Sequence, residues 1–251
     1  VTIRDLPVLI EGEGSPVSRA GAGDWPTAVV TGASRGIGAR IAAALAPSHQ
    51  LVLGGRGSPE LARLAGRLPR ARAWPVNLAD PGALHVPPGV ERLDALIHNA
   101  GVLATGRIEE CDGGLWRRTF EVNLFAVVEL TRLLLPALRA AGGHVVLVNS
   151  TAGLQANPAR AVYSASKYAL RAFADALRAE EPALRVTTIF LGRVATDMQR
   201  DVCAVEGLRY QPERYLSPAT VAEAVRGLLA APRESVVSEL VLRPALSPGT
   251  A

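Results

Sequence analysis

From residue 27 onward the chain alternates short apolar runs with helical stretches, and this alternation limits the possible folds more than any other feature. The runs read as strands over Thr27 to Thr31, Gln50 to Gly54, Ala71 to Val76, Leu93 to His98, His144 to Asn149, Arg185 to Leu191 and Val236 to Leu242. Helical segments fill the gaps. One begins at Gly36, a long one covers roughly Leu115 to Ala141, and another runs from about Ala161 to Glu181, where Pro182 stops it. A fourth opens at Ser217-Pro218, an N-cap followed by proline at the first helical position. Strands that alternate with helices imply crossover connections, and hence an α/β fold. The expectation is a doubly wound, Rossmann-type parallel sheet of about seven strands with helices on both faces. At 251 residues, one domain over 26–251 is enough. Residues 1–25 are rich in Gly, Pro, Ser and acidic side chains without sustained periodicity, and read as a flexible extension.

Composition narrows the function classes. Hydrophobic residues make up 49% and charged residues 20%, so a core can form. The formal charge is +4, from scattered arginines rather than a run of like charge, which favours a small anionic ligand over nucleic acid. Cys111 and Cys203 match no metal spacing and make no disulfide scaffold, which points to a reducing compartment. His49, His85, His98 and His144 are isolated, so no metal site is expected. No apolar run reaches membrane-spanning length, and Asp5, Glu11 and Glu13 interrupt any signal-peptide pattern. The expectation is a cytoplasmic protein without membrane or nucleic-acid partners.

The first strand runs straight into Thr31-Gly32-Ala33-Ser34-Arg35-Gly36-Ile37-Gly38, and a helix follows. Glycines at a strand-to-helix turn let the backbone bend sharply and let a pyrophosphate approach free N–H groups at the helix N-terminus. The strict GxGxxG spacing is absent. A rival pattern overlaps, because Gly32 to Gly36 also matches the GxSxG elbow of α/β-hydrolases. Against it, the elbow follows the first strand, and no histidine lies beyond His144 to serve a triad.

Tyr163 and Lys167 are four apart on a helix, which puts both side chains on one face. A tyrosine, with an ordinary pKa near ~10, exchanges protons poorly at neutral pH unless a neighbouring ammonium favours its phenolate. Lys plus Arg totals 27, of which Lys167 is the only lysine and the other 27 − 1 = 26 are arginines. A single lysine would fall one turn beyond one of four tyrosines by chance roughly once in sixty. Ser150 follows the strand His144 to Asn149, at a strand carboxyl end, where doubly wound folds build their ligand crevice. A hydroxyl there can hydrogen-bond a substrate oxygen while Tyr163 exchanges a proton with it.

Together with two further motifs, these residues resemble the short-chain dehydrogenase/reductase family over about residues 27 to 243. The TGxxxGxG turn is Thr31-Gly32 through Gly36 and Gly38, and the NAxG motif is Asn99-Ala100-Gly101. The helix-borne asparagine matches Asn123, the serine matches Ser150, and YxxxK is Tyr163 and Lys167. The resemblance implies that Tyr163 is the general acid in reduction and the base in oxidation. It implies that Lys167 also holds the nicotinamide ribose, that Ser150 polarises the carbonyl and that Asn123 secures a water linking Lys167 to solvent. Gly32, Ser34, Arg35, Gly36, Ile37 and Gly38 would cradle the phosphates, with Asn99, Ala100 and Gly101 shaping the crevice under the cofactor. Val194 and Thr196 fit as contacts to the nicotinamide amide, although Leu191-Gly192-Arg193 replaces the usual Pro-Gly. Asn77, beside Leu78, stands where an acid is usual and can accept from the adenine amine. His98 replaces a common asparagine and reads as a strand-end residue rather than a catalyst.

The second strand ends Leu53-Gly54-Gly55-Arg56, with no acid to bind ribose hydroxyls, and Arg35 is a second cation nearby. Guanidinium forks suit a 2′-phosphate, so NADP(H) is the expected cofactor and a small carbonyl or alcohol the expected substrate. The stripe Val122, Phe125, Ala126, Glu129, Leu130, Leu133 and Leu134 is more apolar than packing on a sheet requires, and predicts a homodimer or homotetramer. The competing function class is a dinucleotide-sensing regulator without turnover, which would need none of Asn123, Ser150, Tyr163 and Lys167.

Overall fold

A computed structural model describes residues 25–245, so all but the last residue of the expected extension lies outside the described residues. Seven strands, β1 (Thr27–Thr31), β2 (Gln50–Gly55), β3 (Ala71–Pro75), β4 (Ala95–His98), β5 (His144–Ser150), β6 (Arg185–Leu191) and β7 (Glu239–Leu242), form one sheet. Their order is β3-β2-β1-β4-β5-β6-β7 and every pairing is parallel. The helices are α1 (Gly36–Leu45), α2 (Pro59–Arg67), α3 (Gly113–Phe120), α4 (Ala126–Ala141), α5 (Ala161–Glu180), α6 (Asp197–Val205) and α7 (Pro218–Ala230). This is the doubly wound α/β fold that the alternation implied.

The inner strands β1, β4, β5 and β6 are buried on both faces, which is why they read as unbroken apolar runs. Successive residues feed two separate cores. Ala28 and Val30 point into one with Ile41, Leu45, Val221 and Val225. Val29 points into the other with Leu130, Leu134, Leu138 and Leu170. The sequence is least clear at the sheet edge, where β7 starts at Glu239 rather than Val236. Val236 and Val237 stay exposed, because a strand with β6 on one side only has little to bury.

From β1 the chain winds outward through β2 and β3, then crosses back to place β4 on the other side of β1. At this reversal the two connections leave in opposite directions, and a crevice opens at the carboxyl ends of β1 and β4. The expected long helix from Leu115 to Ala141 is in fact α3 and α4, joined through a π-helical segment over Glu121–Phe125. A π turn shifts the backbone out of its i→i+4 register, often at functional positions, and this one carries Asn123. The cap at Ser217 is as expected: its hydroxyl accepts from the Thr220 N–H at 3.0 Å, ahead of Pro218.

Candidate active site

The glycine turn is held open by backbone geometry. Gly32 and Gly36 both have φ near the left-handed region, 64° and 58°, where a side chain would be strained. A Cβ added at Gly38 would lie 2.3 Å from the Gly32 carbonyl oxygen and 2.5 Å from Asn99 Nδ2, so that position admits only glycine as built. The turn is fastened to the next motif by Thr31, whose Oγ1 accepts from the Asn99 and Ala100 N–H groups, both at 3.1 Å. Asn99 Nδ2 in turn donates to the carbonyls of Thr31 and Gly32, at 3.0 and 3.2 Å. The two glycine motifs are therefore one structure, and Thr31 is a contributor that sequence reasoning passed over.

Behind Gly101 lie Asn123 and Lys167. A Cβ at Gly101 would meet Asn123 Oδ1 at 3.3 Å and Lys167 Nζ at 3.8 Å. Asn123 is buried, and its amide accepts from the Val102 N–H at 2.8 Å and donates to the Val102 carbonyl at 2.9 Å. Its other N–H goes to Ser166 Oγ at 3.1 Å, and Ser166 donates to the Tyr163 carbonyl at 2.7 Å. The Asn123 side chain thus ties the π segment to α5, the helix that carries Tyr163 and Lys167. Asn149 does similar work, donating to the Lys167 carbonyl at 3.1 Å and accepting from the Ser150 N–H at 2.7 Å. It directly precedes Ser150, and that adjacency was the signal available for it.

Tyr163, Lys167 and Ser150 converge. Lys167 is 5% exposed, and its Nζ donates to the Val148 carbonyl at 3.3 Å while lying 5.8 Å from the Tyr163 ring centre. Burial pushes its pKa down to about 8. Burial pushes the Tyr163 phenol up; a hydrogen bond with Ser150 and the charge of Arg160 pull it part of the way back. The lowering expected for this phenol is thus outweighed by its burial.

The cation pair divides. Arg56 is exposed, and with Asn77 and His85 it lines an open cleft of about 560 Å³. Leu78 packs beside it on the second core. Arg35 instead reaches Asp197 at 3.5 Å, a partner the sequence did not suggest. Val194 is buried and bridges to Leu216, and Thr196 caps α6, its methyl 3.7 Å from where a Cβ on Gly36 would sit. Ser34 and Ile37 lie half-buried in the turn between these walls. No histidine hydrogen-bonds Ser34 among the described residues, so the hydrolase elbow has no base. His98 is buried, bonded through Nε2 to Thr131 Oγ1 at 2.9 Å, and is a strand-end residue.

The site suits a nicotinamide dinucleotide. Glycines keep side chains out of the turn, the buried Lys167 ammonium has one protein acceptor for three N–H groups among the described residues, and an exposed guanidinium stands by the adjacent cleft. Among the described residues, no three His, Cys, Asp or Glu side chains gather as a metal-ligand set, and no helix is long and apolar enough to cross a membrane.

Residues 26–206 match the family model described as short chain dehydrogenase. The bovine (Bos taurus) protein "Dehydrogenase/reductase SDR family member 7B" is 34% identical over 233 residues, a stretch covering 83% of this chain and 72% of the relative. Of the mouse (Mus musculus) counterpart, 35% identical, the chain spans 62% of the length. An alcohol dehydrogenase from the archaeon Thermococcus sibiricus, complexed with 5-hydroxy-NADP, superposes with a TM-score of 0.79 at 29% identity, over 90% of this chain and 99% of that one. The closed form of serine dehydrogenase complexed with NADP+ gives 0.81 at 26% identity, over 90% and 97%. The family match runs without a break from the residue before β1 to the residue after α6, on the same sheet topology: the chain belongs to the short-chain dehydrogenase/reductase family and is an NAD(P)-dependent oxidoreductase.

Proposed function

We propose that the chain uses NADP(H) to reduce a carbonyl compound or oxidise the corresponding alcohol, with Tyr163 exchanging the proton. The observation that carries this reading is the buried Lys167 on α5, its Nζ 5.8 Å from the Tyr163 ring centre and bonded to the Val148 carbonyl, with Ser150 at the carboxyl end of the same strand β5. The dinucleotide supplies or accepts the hydride. The glycine turn from Gly32 to Gly38 would hold its pyrophosphate at the N-terminus of α1, and Asn99, Ala100 and Gly101 would line the crevice beneath it. Lys167 would hold ribose hydroxyls through its free N–H groups, Asn77 and Leu78 would receive the adenine, and Val194 and Thr196 the nicotinamide amide. Arg56 and Arg35 would read a 2′-phosphate, a choice supported by the missing acid after β2 and by NADP-type ligands in both structural relatives.

Ser150 orients the substrate oxygen, and Tyr163 gives it a proton in reduction or takes one in oxidation. Burial raises the phenol, so Tyr163 carries its proton at neutral pH, the form that donates to a carbonyl. A homo-oligomer belongs to the same reading. Ala126, Leu130 and Leu134 of the apolar stripe are buried against the chain's own sheet, but Phe125 remains 51% exposed. Absorbance at the NADPH band, followed with a panel of ketones, aldehydes and quinones, tests the function. Consumption of NADPH with at least one carbonyl class is expected; none with any class, by protein shown to bind NADPH, would refute it.

A further inference from the structure

Helix α6 joins the two halves of the crevice. Its first residue, Asp197, meets Arg35 of the glycine turn beyond β1, and the residue that ends it, Glu206, meets Arg160, three positions before Tyr163. A nine-residue helix is about 13 Å long. Strands β1 and β5 are separated only by β4, about 10 Å at the usual spacing. The helix therefore has the length to reach from one motif to the other.

Its two ends are held unequally. Arg35 and Asp197 are 70% and 51% exposed and share one contact of 3.5 Å, while Asp197 is also taken by Arg200 at 2.9 Å. A pair of that kind holds weakly. At the other end Glu206 receives Arg160 at 2.6 Å and Arg193 through two N–H groups at 2.8 and 3.1 Å. All three side chains are largely covered, and they come from three places: the start of α5, the loop after β6, and the end of α6. Burial pushes the Glu206 carboxyl up, but the hydrogen bonds from Arg193 and Arg160 outweigh it and hold the group below the usual carboxylate range, so it remains charged at neutral pH. The same end is packed by Cys203, whose Sγ lies 3.3 Å from the Tyr215 hydroxyl.

We propose that Glu206 is a positioning residue: the Arg160–Glu206–Arg193 cluster is the fixed pivot of α6, and the Arg35–Asp197 contact is its releasable end. The releasable end rests on the reading above that Arg35 serves a cofactor phosphate; the pivot does not. With a 2′-phosphate present, Arg35 has a stronger, more charged acceptor than a shared surface carboxylate, so Asp197 is its competitor. At the pivot no such exchange takes place, and the substrate-side wall keeps a fixed distance from the helix that carries Tyr163.

The test combines amide hydrogen exchange over residues 197–205 with fluorescence titration of NADPH and NADH and with substrate kinetics. Glu206→Gln is expected to speed exchange in α6 at least tenfold while β4 amides stay unchanged. It should also raise KM for the carbonyl substrate at least fivefold with kcat within threefold, and leave NADPH affinity within twofold. Should that variant fold poorly, Arg193→Gln, which keeps the Arg160 contact, is expected to move exchange and KM in the same direction by a smaller factor. Asp197→Asn is expected to tighten NADPH binding about threefold and leave NADH unchanged. Unchanged α6 exchange in Glu206→Gln, or in Arg193→Gln where that is the variant used, overturns the pivot, and equal NADPH binding by Asp197→Asn and wild type overturns the releasable end. Failure of the wild type to bind NADPH would overturn the cofactor reading instead, while the exchange measurement would still decide the pivot.

Discussion

Acid should unfold this protein sooner than its carboxylates alone would. His98 and His144 are 2% and 1% exposed, and burial holds both rings neutral, with pKa values down to about 3 from an ordinary 6.5. Arg185 adds repulsion at His144. The hydrogen-bond network shows why neither ring accepts a second proton. Thr131 donates its own hydroxyl proton to the Val127 carbonyl at 2.7 Å, so the proton shared with His98 must sit on Nε2. Thr187 likewise donates to the Val237 carbonyl, so His144 donates through Nε2, and its Nδ1 is buried without a partner. A further proton would place a charge where nothing solvates it.

The linkage has a definite sign. The folded pKa lies below the unfolded one, so the unfolded chain binds protons first. The histidine contribution is complete above pH ~6.5 and is lost as pH falls toward ~3. At pH 5, ~1.5 units below the unfolded value, each ring lowers stability by about 2 kcal/mol and the pair by about 4. Carboxylates, with unfolded values near ~4.3, contribute little in that interval. For a chain of this size the loss corresponds to a melting point roughly 8–16 °C lower. Urea unfolding at pH 7 and pH 5 measures the difference, and His98→Asn and His144→Gln should each remove about half of it. A wild-type loss under about 1 kcal/mol, or variants with the wild-type loss, would refute the reasoning.

Other expectations follow from single contacts. Gly38→Ala forces a Cβ into the Gly32 carbonyl and Asn99 amide; it should weaken NADPH at least tenfold in a fluorescence titration, with about 1–3 kcal/mol of destabilisation. Wild-type NADPH should exceed NADH in kcat/KM by at least about tenfold, or ~1.4 kcal/mol, and Arg56→Asp and Arg35→Ala should each erode that ratio through KM for NADPH. Wild type should be a dimer or tetramer by light scattering, and Phe125→Glu, which charges an exposed ring on the apolar stripe, should be monomeric with its secondary structure intact.

The inner sheet was legible because strands buried on both faces must be apolar throughout: β5 and β6 came within one residue of their observed ends. Edge strand β7 was over-extended because Val236 and Val237 look the same in sequence whether or not a second sheet neighbour covers them. The π segment at Asn123 was invisible, since hydrophobic periodicity does not register one displaced hydrogen bond. At the site, motif residues were readable because their chemistry demands particular residue types at fixed spacing. Their supports were not. Ser166, Asn149, Arg160 and Asp197 act through contacts between segments far apart in the chain, such as the 162 residues separating Arg35 from Asp197. The origin of the Tyr163 electrostatics belongs to the same class, because it depends on which neighbour is close and how deeply each is buried.

The central claim is that the Tyr163 hydroxyl supplies the reacting proton, and Tyr163→Phe tests it most directly. The substitution keeps the ring in its place on α5 and removes only the hydroxyl. Turnover of NADPH with an active carbonyl should fall by about 10²–10⁴-fold, with NADPH affinity in a fluorescence titration within twofold of wild type. A Phe variant that turns over at close to the wild-type rate would contradict the account.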